Sequence, residues 1–391
     1  MTDAASAESG GSDSKRLKIL DVYKGMAIMG VIITHLVLIQ NGTDGKEGDP
    51  SALVQFMFSG LIMFMVVSGY FYKPGKSYLE NVKKRIVPLV VIYVAAIVVL
   101  STIMYVYLLA VGYDLSDYSL PELLFKSLFG KCLFMDETTP EFIENMAPFG
   151  PADISIMMYY LMILSLGYLI FFAIADRVLK DWRVAVVTIL ILLGITSLYM
   201  EFIHIHLPLM AYYAPMVAGF LLVGALLAKV DFARLLQEGY RTKKFWMIFG
   251  IAVVAAALCL ILFPAQTDIV WGRVGTGPFR VYTFAATSLS CGIVQMYVAV
   301  LFMKIPGIYH LFNDMGKNVL YLFLLHMFIA KMIIAPFVAL PVNKYIPLEF
   351  MPALALAFGT IAVILVLSHI YTRIKPDIVA KICKKGKASE E

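Results

Sequence analysis

Polar positions in this chain fall in short clusters, and between them lie apolar runs of about 20 residues, long enough to cross a hydrocarbon core of about 30 Å. The pattern predicts ten membrane helices: 20–39, 52–72, 88–111, 154–175, 184–200, 207–228, 245–264, 281–303, 319–340 and 350–372. The fifth is at the short end of what spans a bilayer. The fold class expected is therefore an all-α integral membrane protein, a bundle of about ten helices. No internal repeat stands out, so an inverted-repeat architecture gains no support.

The segments between runs set the expected orientation. With the N-terminus in the cytoplasm, 25 of the 32 Lys and Arg residues fall on the inner side and seven on the outer side. That asymmetry predicts both termini cytoplasmic. Residues 1–15, small and polar, read as a disordered cytoplasmic segment. Residues 16–373 form the transmembrane unit, and 374–391 a basic cytoplasmic tail facing anionic lipid. No leader with a short apolar core and an A-x-A-like site precedes the first run, which is expected to stay as a signal anchor in the cell membrane. The longest connection, 112–152, then lies outside with seven acids against two lysines. Its stretch 120–134 has helical spacing, and two readings stand: a lid over an external opening, or a helix on the membrane surface.

Composition agrees and excludes other classes. Of 391 residues, 61% are hydrophobic and 15% charged, too few charges for a soluble domain of this length. The net charge of +5 comes from loop cations where orientation signals belong, so no nucleic-acid partner is expected. Two of the four cysteines lie in runs, one in an external loop and one in the tail, which is no disulfide framework.

Ionisable groups within apolar runs are the candidate chemistry, because burying them in a bilayer is expensive. The first run carries Asp21, Lys24 and His35. Eleven residues make close to three turns, so Lys24 and His35 leave one face, roughly 16 Å apart along the axis. Lys24 is close enough to the surface to snorkel, and Asp21 three residues before it is a natural ion-pair partner. His35 sits deeper, about 21 Å from Asp21, so its orienting group must come from another helix. Proton-linked transport is one use of such a histidine. General-base catalysis is another, since an imidazole with pKa about 6.5 takes up protons near neutrality.

The pattern LDVYKGMAIMGVIITH resembles the first-helix signature of the acyltransferase-3 superfamily of integral membrane acyltransferases, with Asp21, Lys24, Gly25, Ala27 and His35 in register. Phe64, Ser68, Gly69 and Tyr70 resemble the family's second-helix F-F-x-x-S-G-F segment. Tyr78, Arg85, Ile86 and Pro88 resemble its entry into the third helix, and Gly316, Asn318, Phe323, Leu325 and His326 its G-x-N-S-x-x-x-(Y/F)-L-L-H segment. This chain departs at Lys24, Met65, Val82 and Val319, where many members carry Arg, Phe, Arg and Ser.

The resemblance implies transfer of an acyl group, usually acetyl, from cytoplasmic acyl-CoA to a hydroxyl of an extracytoplasmic or lipid-linked glycan. In that reading His35 is the general base. Lys24, Lys83, Lys84 and Arg85 serve the anionic donor, with Ser68 shaping its channel; the alternatives are a solvated positive-inside loop for the three loop cations and close packing for Ser68. Asp153, Arg273 and His326 are candidates for contact with the acceptor, against a helix cap, an interfacial belt and an interhelical hydrogen bond respectively. No metal is expected: His204 and His206 form a bare H-x-H without further converging ligands. A proton-coupled transporter or flippase is the competing function.

Overall fold

The computed structural model describes residues 17–40, 52–110, 119–129, 151–203, 207–263, 279–329, 358–367 and 369–370. Among these every regular element is helical. The first four apolar runs become α1 (Lys18–Gln40), α2 (Ala52–Tyr70), α4 (Val87–Ala110) and α6 (Pro151–Val178). The next four become α7 (Trp182–Phe202), α8 (Ala214–Lys229), α10 (Lys243–Leu262) and α11 (Arg280–Phe302). Within the described residues six helices are long and apolar enough to cross a membrane, lying at Tyr78–Ile103, Met158–Val178, Trp182–Phe202, Leu209–Lys229, Lys243–Leu262 and Arg280–Phe302. The ninth and tenth runs are described over α13 (Val319–Ile329) and α14 (Phe358–Leu367). The N-terminal segment 1–15 and the basic tail lie outside the described residues.

Burial separates a centre from a rim. The apolar windows of α6, α8 and α11 are 61–67% buried within the protein, whereas those of α4, α7 and α10 are 28%, 33% and 11% buried. α1 belongs to the centre, with Ile19, Val22, Tyr23, Ile28 and Ile32 fully buried. A helix apolar all round and exposed to this degree suits lipid contact, where no burial against protein is required.

Two crossings of the central helices depend on glycine. A Cβ on Gly69 would stand 2.0 Å from the Leu221 carbonyl oxygen, and one on Gly224 would stand 1.8 Å from that of Val66, so α2 and α8 touch backbone to backbone. The short helix α12 (Pro306–Lys317) meets α1 in the same way, with Gly25 against the Phe312 carbonyl and Gly316 against that of Asp21. Three of these glycines, Gly25, Gly69 and Gly316, are motif positions identified in the sequence. Their physical role is close approach, as in small-residue packing of membrane helices.

The structure adds elements that hydropathy did not predict. α12 and α9 (Phe232–Gly239) are amphipathic and too short to span, so a search for long apolar runs passes over them. α3 (Tyr78–Asn81) and a π-helical turn, Val82–Ile86, precede α4. The stretch expected as a lid or surface helix forms α5 (Leu120–Phe129), packed on α4 and α6. Its Leu128 carbonyl accepts a hydrogen bond from Tyr93 at 2.7 Å, only about 9 Å along α4 from its first residue. α5 therefore runs back into the bundle rather than lying over it.

Candidate functional site

The end of the bundle at which α1 begins carries a cleft of about 170 Å³. It is built where α2 stops. Pro74 and Gly75 turn the chain, Gly75 with φ +87°, and this turn sets Lys73 and Lys76 on either side of it. Ser77 then caps α3, its hydroxyl accepting from the Glu80 amide at 3.2 Å. The following π turn presents Lys84 and Arg85 to the same space. The opposite wall comes from α6, about a hundred residues away: Tyr168 stacks on Phe172 at 5.0 Å, and Tyr72 meets Phe171 edge-on at 4.9 Å. Ser68, near the end of α2, also lines the cleft.

Charge in the cleft is unbalanced. Four cations line it, and the carboxylate paired with any of them among the described residues is Glu80, 2.9 Å from Lys84 and 3.9 Å from Lys76. Lys84, with Lys76 behind it, holds the exposed Glu80 carboxyl below the usual carboxylate range. Arg85 donates to the Phe71 carbonyl at 3.3 Å, which fixes the guanidinium without neutralising it. Tyr72 donates to Asp176 at 2.6 Å. Excess positive charge beside an aromatic wall favours an anionic ligand with a planar or apolar part.

The sequence candidates divide in this structure. Ser68, Lys84 and Arg85 come together in the cleft. Lys83 is exposed and outside its lining, and Lys24 is ion-paired with Asp21 at 2.7 Å, half-buried and likewise outside the lining. His35 lies in α1, about 16 Å beyond Lys24, and Asp153 in the first turn of α6. His326 is buried in α13, its Nδ1 within 3.0 Å of the Leu322 carbonyl and 2.8 Å of the Phe323 carbonyl. Carbonyl oxygens only accept, so Nδ1 bears the proton and Nε2 the lone pair. Arg273 lies outside the described residues.

Sequence reasoning missed Lys73, Lys76 and the α6 aromatics. The two lysines sit in the same loop as Lys84, a signal that a count of loop cations contains. The aromatic wall had no local signal. Also missed was a buried polar network joining three central helices. The Gln295 amide donates to the Phe56 carbonyl and, at 3.1 Å, to the Ser59 hydroxyl, and its oxygen accepts from Tyr23 at 3.3 Å. It links α11, α2 and α1 in the layer between the cleft and His35.

Comparison with known families matches residues 17–369 to the acyltransferase-3 model, described as an acyltransferase domain. No curated protein matches, and no solved structure matches. The match takes in the α1 motif, the cleft loop and the α13 motif, and it supports the acyltransferase reading. The chain belongs to the acyltransferase-3 family and is a membrane acyltransferase.

Proposed function

We propose that this protein moves an acyl group, acetyl in the first instance, from cytoplasmic acyl-CoA to a hydroxyl of an extracytoplasmic or lipid-linked glycan. The ten-span topology with both termini inside goes with this reading, because it turns the cationic cleft toward the cytoplasmic donor pool. The observation that carries the proposal is the cleft itself: Lys73, Lys76, Lys84 and Arg85 facing an aromatic wall at the end where α1 starts. The phosphates of coenzyme A take those cations, and the adenine packs on the Tyr168–Phe172 side. A pantetheine arm of about 15–20 Å follows the direction of α1 and brings the thioester toward the level of His35.

The reaction then follows from ordinary acyl-transfer chemistry. The His35 imidazole accepts the proton of the acceptor hydroxyl as its oxygen attacks the thioester carbon. A C–O bond forms, the C–S bond breaks, and the coenzyme A thiolate takes up the proton. Asp153, at the start of α6, and Arg273 are proposed to face the acceptor. Lys24 supports the α1 end of the donor path while paired with Asp21.

The test is coenzyme A release from acetyl-CoA by purified protein, wild type beside His35→Ala. General-base removal lowers turnover by about 10²–10⁴-fold, with coenzyme A affinity unchanged. Wild-type binding of coenzyme A with equal turnover in His35→Ala contradicts the base assignment. Failure of folded wild type to bind coenzyme A at millimolar concentration contradicts the donor.

A further inference from the structure

A second cationic site lies at the same end of the bundle, where the α9–α10 turn meets the α11–α12 turn. Tyr240 is its centre. Arg241 donates from Nε to the Tyr240 hydroxyl at 2.6 Å, and its guanidinium carbon lies 5.3 Å from the ring centre. Lys304, sixty-odd residues later in the chain, sets its ammonium 3.8 Å from the same ring centre. The two charges are therefore within about 9 Å of each other, less than about one Debye length. The Arg241 hydrogen bond, then the charges of Arg241 and Lys304, hold the Tyr240 phenol below its usual range.

No carboxylate among the described residues is paired with Arg241 or Lys304. The acids nearby are committed elsewhere: Glu238 to Arg234 at 2.7 Å, and Asp231 to Tyr70 at 3.1 Å. Lys243 and Lys244 open α10. The first turn of a helix favours anions, and here it holds two more cations, so the helix dipole adds to the positive potential. The corner is accessible, Arg241, Lys243, Lys244 and Lys304 all being exposed. Beside it the surface turns apolar, with Leu235 60%, Trp246 50% and Met247 61% exposed. Beyond them runs α10, the least buried of the six membrane-length helices.

We propose that this corner binds the phosphate of an anionic phospholipid: the phosphate sits between Arg241, Lys304 and the α10 N-terminus, with the acyl chains laid along α10. A phosphate ester is the chemistry these groups recognise, and the adjoining apolar face selects a lipid as its source over a free phosphate ester. The site is separate from the donor cleft and does not depend on the donor assignment.

The experiment is thermal unfolding of the full chain in phosphatidylcholine nanodiscs with and without phosphatidylglycerol. Wild type gains about 4 °C from phosphatidylglycerol, and Arg241→Gln with Lys304→Gln loses that gain. Each variant's gain is read against its own melting temperature in phosphatidylcholine alone, because losing the Arg241–Tyr240 hydrogen bond and the Lys304–Tyr240 ring contact lowers that baseline. Lys180→Gln with Arg183→Gln, which removes two cations elsewhere on the same face, keeps the gain. Persistence of the gain in the Arg241/Lys304 variant, its loss in the Lys180/Arg183 variant, or its absence in wild type overturns the site. An equal gain from sn-glycerol 3-phosphate in phosphatidylcholine discs overturns the lipid assignment.

Discussion

Arg280 and Arg85 stand at opposite ends of the bundle and show two uses of the same side chain. Arg280, at the start of α11, lies 2.6 Å from Glu201 and donates to the Met200 carbonyl at 2.8 Å. It thereby closes the last turn of α7, and the charge is cancelled where it stands. Arg85 touches a carbonyl but no described carboxylate, and it shares its cleft with three lysines against Glu80. A cation matched one for one holds two helices together. A cluster left in excess has a charge that only a ligand or solvent can neutralise. Charge balance, rather than the presence of a cation near a membrane surface, distinguishes the two arginines.

The contrast is broken most severely by exchanging its terms. Lys84→Gln with Arg85→Gln is expected to lower coenzyme A affinity about 100-fold by isothermal titration, from two lost charge-assisted hydrogen bonds. Its melting temperature moves by less than about 2 °C, since thinning the like charges offsets the exposed Lys84–Glu80 pair and the Arg85–Phe71 hydrogen bond that are lost. Arg280→Gln does the reverse: the melting temperature falls by about 2–4 °C through loss of a partly exposed pair, and affinity stays within about twofold. Equal affinity losses in both variants would mean that the cleft has no special claim on the donor.

Glu80→Gln sharpens the contrast from the other side. With the acid that pairs with Lys84 and Lys76 gone, affinity rises about threefold. The sign of the pH effect follows from the depressed Glu80 carboxyl. Its paired, ionised state is present above the ordinary carboxylate range and is lost only as pH falls through its lowered folded value. Between pH 5 and 8 Glu80 is therefore constant. Any weakening of binding toward pH 5 then comes from protonation of the donor's phosphate, with second pKa about 6, and Glu80→Gln shows the same slope as wild type. The smallest effect is expected at the turn. Gly75→Ala forces a side chain into positive φ, costing about 1 kcal/mol in stability, and loosens Lys73 and Lys76 enough to weaken affinity about twofold.

What the sequence made legible follows from periodicity and local spacing. Long apolar runs located the helices, because a bilayer demands about 20 such residues. The Asp21–Lys24 pair was visible as an i,i+3 spacing and forms as such. The motif glycines were visible as letters, and only the backbone contacts at Gly25, Gly69 and Gly316 give their reason. The second wall of the cleft was not legible, because Tyr168 and Phe172 come from a helix far along the chain and nothing local marks them. Gln295 was passed over for the same cause: one amide in an apolar run carries no period, and its three partners come from α1 and α2. The α12 and α9 helices escaped because amphipathic segments of twelve and eight residues fall below a spanning-length search.

The position of the donor is read most directly by lysine footprinting. Folded protein is labelled with an amine-reactive acetylating reagent, with and without saturating coenzyme A, and each lysine is quantified by mass spectrometry. Protection of Lys73, Lys76 and Lys84, with Lys180 and Lys243 unchanged, is the predicted result. Bound coenzyme A that leaves those three lysines as reactive as before, or that protects Lys243 and Lys304 instead, would contradict it.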